Sequence, residues 1–325
     1  LKVVNKVNIM VTKLIDEGMQ AVEEQLQSIV DSDVDVLKDA SRHIISSGGK
    51  RIRPRLALMA YLAAGGRDFA TAVPMASALE MVHTATLVHD DINDHSLTRR
   101  GKITVHARWG RTFALLAGDY LFTKVYELMA PYGRIYNKIM ADACIKLVEG
   151  ETLQAAVAKA GTMDRETYKT IIARKTASLF EAGANMGARL AGADDELIDA
   201  LTTYAYNLGL TFQIIDDILD IVGDPEKLGK PVGTDLAQNR GVLTAQNGGT
   251  AVINEAGIAT ATAVADVDPF KAMMARLRDS GAVDVARMQA VETAKRARAA
   301  LDNVPPSPMR DELDNLIDLV LNRDK

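Results

Sequence analysis

Cysteine, aromatic residues, long apolar runs and excess positive charge are all scarce in this chain, and each scarcity narrows what it can be. Cys144 is the only cysteine among 325 residues, so no intrachain disulfide can form. That is compatible with a reducing, cytoplasmic setting. Aromatics make up 5% of the sequence while Ala, Leu, Met and Ile are plentiful, which favours helices over strands. No segment strings together the 18 or so apolar residues of a membrane-spanning helix, so no stable membrane anchor is expected. The opening stretch LKVVNKVNIMVTKLIDEGMQ is mildly amphipathic and lacks the apolar region and cleavage site of a secretory signal. A net charge of −5 argues against a nucleic-acid backbone as partner.

With 48% hydrophobic residues the chain can build a sizeable core, and its patterning is helical. Apolar residues at helical spacing run through 35–49 and stop at Gly48-Gly49, a C-terminal cap signal. Pro54 can open the next helix in its first turn. Further helical patterns cover about 69–93, 112–130, 135–160, 164–191, 194–222, 268–280, 283–302 and 308–322. No sustained two-residue alternation of the strand type is present. The expectation is an all-α chain, with 1–325 as one domain. From Gly223 to Gly249 the sequence is rich in Gly and Pro, and a loop of that length inside a domain is expected to be functional, here a lid.

One pattern occurs twice. DDIND at 90–94 and DDILD at 216–220 both read Asp-Asp-x-x-Asp. On a helix Asp90 and Asp94 share a face, with Asp91 about 100° round from Asp90. Asp216, Asp217 and Asp220 repeat the arrangement. A solvated acidic face is the plain alternative for either motif alone. The preceding ATLV and FQII are apolar, however, and buried carboxylates without compensation are costly. A hard divalent cation resolves the conflict, since Mg²⁺ takes one or two carboxylates and fills its shell with water and substrate phosphate. The EF-hand loop pattern is absent, and there is no His/Cys cluster suited to zinc.

A diphosphate also needs cations from the protein. GGKRIRP supplies Lys50, Arg51 and Arg53, LTRRGK supplies Arg99, Arg100 and Lys102, ARKTAS supplies Arg174 and Lys175, and LGKPVG supplies Lys227 and Lys230. Each cluster alone would most simply be solvated surface. Beside two metal-type motifs they suggest two phosphate sites, one bridged by metal and one held by Arg and Lys.

GGKRIRP, HTATLVHDDIND, RRGKITVH, LAGDYLF, EGETLQ, KTASLFEAGA, FQIIDDILD and LGKPVGTDL stand in the order found in trans-isoprenyl diphosphate synthases, which the chain resembles over 40–240. The resemblance implies a single all-α bundle around a deep cavity, homodimeric, using Mg²⁺ (three ions per site, with Mn²⁺ able to substitute). It implies Asp90, Asp94 and Asp216 as metal ligands, supported by Asp91, Asp217 and Asp220. Arg99, Lys175, Thr176, Gln213 and Lys230 would bind the allylic diphosphate. Gly49, Lys50, Arg53, His83 and Arg100 would bind isopentenyl diphosphate. The chemistry implied is departure of the allylic diphosphate, attack on the resulting cation by the double bond of isopentenyl diphosphate, and loss of a proton to the released diphosphate. No Ser-His or Cys-His nucleophile arrangement stands out. His89 and His95 flank the first motif and read as helix or rim residues.

The resemblance also bears on product length. Ala85 and Thr86, five and four residues before Asp90, stand where bulky aromatics block the growing tail in short-chain members. The first motif carries no two-residue insertion. A long-chain product of the quinone side-chain type is therefore expected, with geranylgeranyl or farnesyl diphosphate as the alternative if a deeper residue such as Met81 caps the cavity. Two departures are visible: Ile103 where the family has Pro, and a polar, Gly-rich 240–268 where it continues into an apolar helix. A terpene cyclase is the second enzymatic reading, against which stand DDILD and GGKRIRP. A subunit of a heteromeric synthase is the non-catalytic one, against which stand two intact acidic motifs.

Overall fold

Apolar residues without strand periodicity become helices almost throughout the computed structural model, which describes residues 2–223, 233, 238, 240–246 and 281–323. In chain order these are α1 (Lys2–Ile29), α2 (Asp35–Ile45), α3 (Ile52–Ala63), α4 (Phe69–Asn93), a minimal hairpin of β1 (Thr98–Arg99) and β2 (Lys102–Ile103), α5 (Val105–Trp109), α6 (Arg111–Met129) and α7 (Arg134–Ala160). Then come α8 (Arg165–Ile172), a π-helical turn (Ala173–Ala177), α9 (Ser178–Leu190), α10 (Asp195–Val222), α11 (Gly241–Gln246), α12 (Ala282–Ala300) and α13 (Pro308–Leu321). The protein is all-α, as its composition predicts. Packing divides the chain into two compact units.

The first unit comprises Leu1–Cys144, Leu179–Ala205 and Ala300–Asn315. Its central rod is α4, whose sequence is apolar or small on every face and which is therefore enclosed rather than amphipathic. It packs against α1, α3 and α6. Asp68 caps its start, Oδ1 accepting from Ala70 N at 2.9 Å. Pro74 interrupts the first turns of this helix. There the hydroxyl of Tyr132 enters the backbone ladder: it accepts from Met75 N at 3.1 Å and donates to Thr71 O at 2.5 Å. A side chain thus bridges a donor and acceptor that would otherwise bond each other. The α2 helix ends at Ile45, and Gly48 turns back at φ 71° with its N–H on Ile45 O, close to the stop the sequence signalled.

The second unit comprises Ile145–Ser178, Tyr206–Ala299 and Leu316–Lys325. Ile214, Ile218 and Ile221, with Ile215 and Leu219 beside them, form an apolar stripe on α10 that is buried with Tyr168, Ile171 and Ile172 of α8. Val242 and Leu243 of α11 join the same core. Of the stretch 223–249 expected as a lid, Gly241–Gln246 is thus helical; most of the remainder, and the helix expected at 268–280, lie outside the described residues.

The single long helix expected over 164–191 is instead broken by the π-helical turn. Its sequence is ARKTA, which carries Arg174, Lys175 and Thr176, and such turns recur at functional sites. Gly150 of α7 permits the approach to it, because a Cβ there would lie 2.7 Å from Lys175 N.

Candidate functional site

The first acidic motif occupies the last turn of α4. Asp94 is its C-cap residue, with its N–H on Asp90 O at 2.8 Å. Three carboxylates at the carbonyl end of a 25-residue helix face the negative end of its dipole. That placement is unfavourable unless cations gather there. One does: Arg99 Nε donates to Asp91 Oδ1 at 2.7 Å. Asp91 is 1% exposed, and its Oδ2 is buried with no hydrogen-bond partner among the described residues. Burial raises its pKa, while Arg99 pulls it back down. Asp90 and Asp94 are half-buried.

Arg99 and Arg100 lie on the hairpin, which turns on Arg100 (φ 52°) and Gly101 (φ 73°). The same hairpin is fastened to the GGKRIRP segment. Arg100 Nη1 donates to Gly48 O, Lys102 Nζ donates to Ser46 O at 2.8 Å, and His43 Nε2 meets Ile103 O at 2.7 Å. Gly49 is required here, at φ 143° and with the Arg100 guanidinium 2.5 Å from where its Cβ would stand. Ile103, which departs from the family pattern, is paired with Thr98 in the hairpin.

His83 of α4 registers how densely cations collect. Burial holds its pKa well below the usual histidine value, and the charges of Arg53, Arg100, Arg99 and Arg51 press it lower still. Two basic segments some fifty residues apart in the chain therefore share one neighbourhood with the first acidic motif. Lys50 and Gly49 are exposed there, and Arg53 is buried with its guanidinium 5.2 Å above the ring of Phe180.

Arg51 departs from what the sequence suggested. It is not a surface cation: its side chain is 6% exposed and donates to Glu23 Oε1 at 2.6 Å, Glu80 Oε1 at 2.9 Å and Ile45 O at 2.8 Å. Glu80 and Glu23 were not singled out in the sequence, because a lone Glu on a helix carries no signal of what it will meet.

The second acidic motif lies near the end of α10, and Asp217 is the centre of a buried network. Asp217 accepts from Tyr168 Oη at 2.7 Å, Gln213 Nε2 at 2.8 Å and Val242 N at 3.0 Å. Thr176 donates to Gln213 Oε1 at 2.7 Å, joining the π-helical turn to the motif. Lys175 donates to Gln154 Oε1 at 2.8 Å and pairs with Glu151, both in the EGETLQ segment. Lys175, Thr176, Gln213, Asp217 and Tyr168 line one small cavity of about 60 Å³. Asp220 is fully buried, whereas Asp216 is half-exposed and bonded to Arg323 at 2.7 Å. Neither Tyr168 nor Arg323 was legible in the sequence. Lys230 lies outside the described residues.

His89 is a packing residue, stacked on Phe122 at 6.2 Å; His95 sits just past the helix at φ 53°. Ala85 is wholly enclosed, and Thr86 is half-buried with its hydroxyl on His83 O. Among the described residues no group of three His, Cys, Asp or Glu gathers around a point that could hold a metal. The donor set nevertheless suits Mg²⁺, which needs only one or two carboxylates when phosphate and water complete its shell. The orphaned Oδ2 of Asp91 shows that the first motif is under-compensated.

Comparison with known proteins agrees with this chemistry. The polyprenyl synthetase family profile matches residues 34–247. The octaprenyl diphosphate synthase of Escherichia coli K12 is 34% identical over 322 residues, covering 97% of this chain and 98% of that one. The short chain isoprenyl diphosphate synthase of Methanocaldococcus jannaschii is 41% identical over 231 residues, 68% of either chain. Among solved structures, the Caulobacter crescentus CB15 polyprenyl synthase, complexed with calcium and isoprenyl diphosphate, superposes with a TM-score of 0.87. It is 33% identical and covers 96% of this chain and 97% of that one. With its all-α fold, its paired acidic motifs and its ordered basic segments, this chain belongs to the polyprenyl synthetase family.

Proposed function

We propose that this prenyltransferase condenses isopentenyl diphosphate with an allylic diphosphate to make a long all-trans polyprenyl diphosphate. The observation that carries the reading is the hairpin of Arg99 and Arg100, which is tied through Arg99 to Asp91 of DDIND and through Arg100 to Gly48 O, so that the GGKRIRP segment and the first acidic motif meet. Four guanidinium groups, counting the internally paired Arg51, press on one histidine that burial keeps neutral, and a diphosphate is the ligand that such a field favours. Neutral His83 would act there as a hydrogen-bond partner and not as a cation.

Asp90, Asp94 and Asp216 would hold Mg²⁺, which when bound neutralises the charge that develops on the departing diphosphate. Asp91 and Asp217 orient the helix ends through their own hydrogen bonds. Arg99, Lys175, Thr176, Gln213 and Lys230 would hold the allylic diphosphate. Gly49, Lys50, Arg53, His83 and Arg100 would hold isopentenyl diphosphate. Of these, Thr176 and Gln213 already bond each other.

A long product is supported by the small side chains at Ala85 and Thr86, of which Thr86 has the more open surroundings. Termination at geranylgeranyl is the second reading, favoured by the buried Met81 one turn further along α4. A cytoplasmic homodimer is part of the proposal. It is supported by the exposed apolar residues Phe113, Leu115, Leu116 and Tyr126 on α6. Among the described residues no helix is long and apolar enough to cross a membrane.

The test is incubation of the purified protein with Mg²⁺, isopentenyl diphosphate and farnesyl diphosphate, followed by sizing of the prenyl products. Elongation beyond farnesyl supports the reading. Asp90→Asn and Asp216→Asn should each lower kcat by on the order of a hundredfold, the scale of removing one stabilising group from a charged transition state. Full turnover in both variants would sink the assignment.

A further inference from the structure

The end of α13 brings an arginine onto a carboxylate read above as a metal ligand. Arg323 donates from Nη2 to both Asp216 Oδ1 and Phe212 O, each at 2.7 Å. Its Cζ lies 4.0 Å from the centroid of the Phe212 ring. The side chain is 8% exposed although its carboxylate partner is 49% exposed. An arginine buried to that degree is held in one place, and ring, carbonyl and carboxylate all come from consecutive turns of α10. Asp217 and Asp220 lie buried beside Asp216 in sequence, so the guanidinium offsets charge where like charges crowd.

We propose that Arg323 is a built-in counter-ion of the second acidic motif, occupying Asp216 Oδ1 until a divalent cation with diphosphate displaces it. The proposal rests on the reading of Asp216 as a metal ligand. A carboxylate oxygen that accepts a short charged hydrogen bond is a poor ligand for Mg²⁺, which binds oxygen at about 2.0–2.1 Å and would bring two cations against each other. Metal loading at this motif is therefore a competition. Arg323 stabilises the metal-free protein and weakens its hold on the cation, so that the second motif fills only when diphosphate arrives with the metal.

The test is thermal unfolding of the full chain in a Mg²⁺ titration at fixed inorganic pyrophosphate. Arg323→Ala should melt lower than wild type without metal. It should reach half of its Mg²⁺-dependent shift at about threefold lower Mg²⁺, the factor of a partly exposed ion pair. Arg323→Lys should fall between the two. Arg323→Met keeps the apolar stem over Phe212 and should show the same lowered midpoint if the alanine variant does not fold. An unchanged or raised midpoint in the uncharged variants overturns the proposal. Asp216→Asn separates the two readings. If it responds to Mg²⁺ like wild type, Asp216 is no ligand and both readings fail. If it loses the response while Arg323→Met keeps the wild-type midpoint, the ligand reading stands and the counter-ion alone falls.

Discussion

At the scale of single residues, burial decides which charges the protein encloses and which face solvent. Arg51 and Lys50 are neighbours, yet Arg51 is enclosed by Glu80, Glu23 and Ile45 O while Lys50 is exposed. Arg51 sits in the left-handed region at φ 48°, a conformation that a non-glycine residue keeps only when its contacts enforce it. Glu80→Ala should cost about 3 kcal/mol, because it strips a buried arginine of a buried partner; urea denaturation will measure it, and a loss near zero would show that the pair is replaceable. His83 makes a second prediction, on pH. Its folded pKa lies well below the 6.5 of a free histidine, so below pH 6.5 the unfolded chain takes up a proton that the folded one refuses. Stability should fall as pH drops below 6.5, by up to about 1.4 kcal/mol per unit from this group. His83→Gln should flatten that part of the stability profile relative to wild type, and parallel profiles would contradict the assignment.

At the scale of elements, the helices follow their apolar patterns, and the exceptions have local causes. The π-helical turn at 173–177 is invisible to a periodicity argument, since one extra residue in a turn leaves the apolar pattern on either side intact. The two-residue strands of the hairpin are too short to alternate, and only the turn chemistry of Arg100-Gly101 marks them. Within α4, beside Pro74, the Tyr132 hydroxyl bridges Thr71 O and Met75 N. Tyr132→Phe should therefore destabilise the protein by about 1 kcal/mol, the worth of a bridging hydrogen bond. Calorimetry would detect this, and an unchanged melting temperature would mean that water replaces the hydroxyl at no cost.

At the scale of the whole molecule, product length is the property most open to test. Ala85 has no exposed surface, so a large side chain there must displace its neighbours, at a cost of about 1–3 kcal/mol. Thr86→Phe is the cleaner probe, since position 86 is only half-buried. It should shorten the dominant product by one or more isoprene units, read by mass spectrometry of the dephosphorylated prenols. An unchanged ladder of products would place the wall elsewhere, with Met81→Ala the variant to try next.

What the sequence alone determined is the chemistry: an all-α chain, two Asp-Asp-x-x-Asp motifs and basic segments in a fixed order, each readable because it rests on residue type and short-range spacing. What only the tertiary structure decided is how those charges are partnered. It placed Arg51 against Glu80, Arg99 against Asp91, Tyr168 against Asp217 and Arg323 against Asp216, pairs between 8 and 107 residues apart along the chain. Spacing on one helix says nothing about what arrives from another. Only packing takes a charge out of water, and that removal determines whether it is held by the protein or left to a ligand.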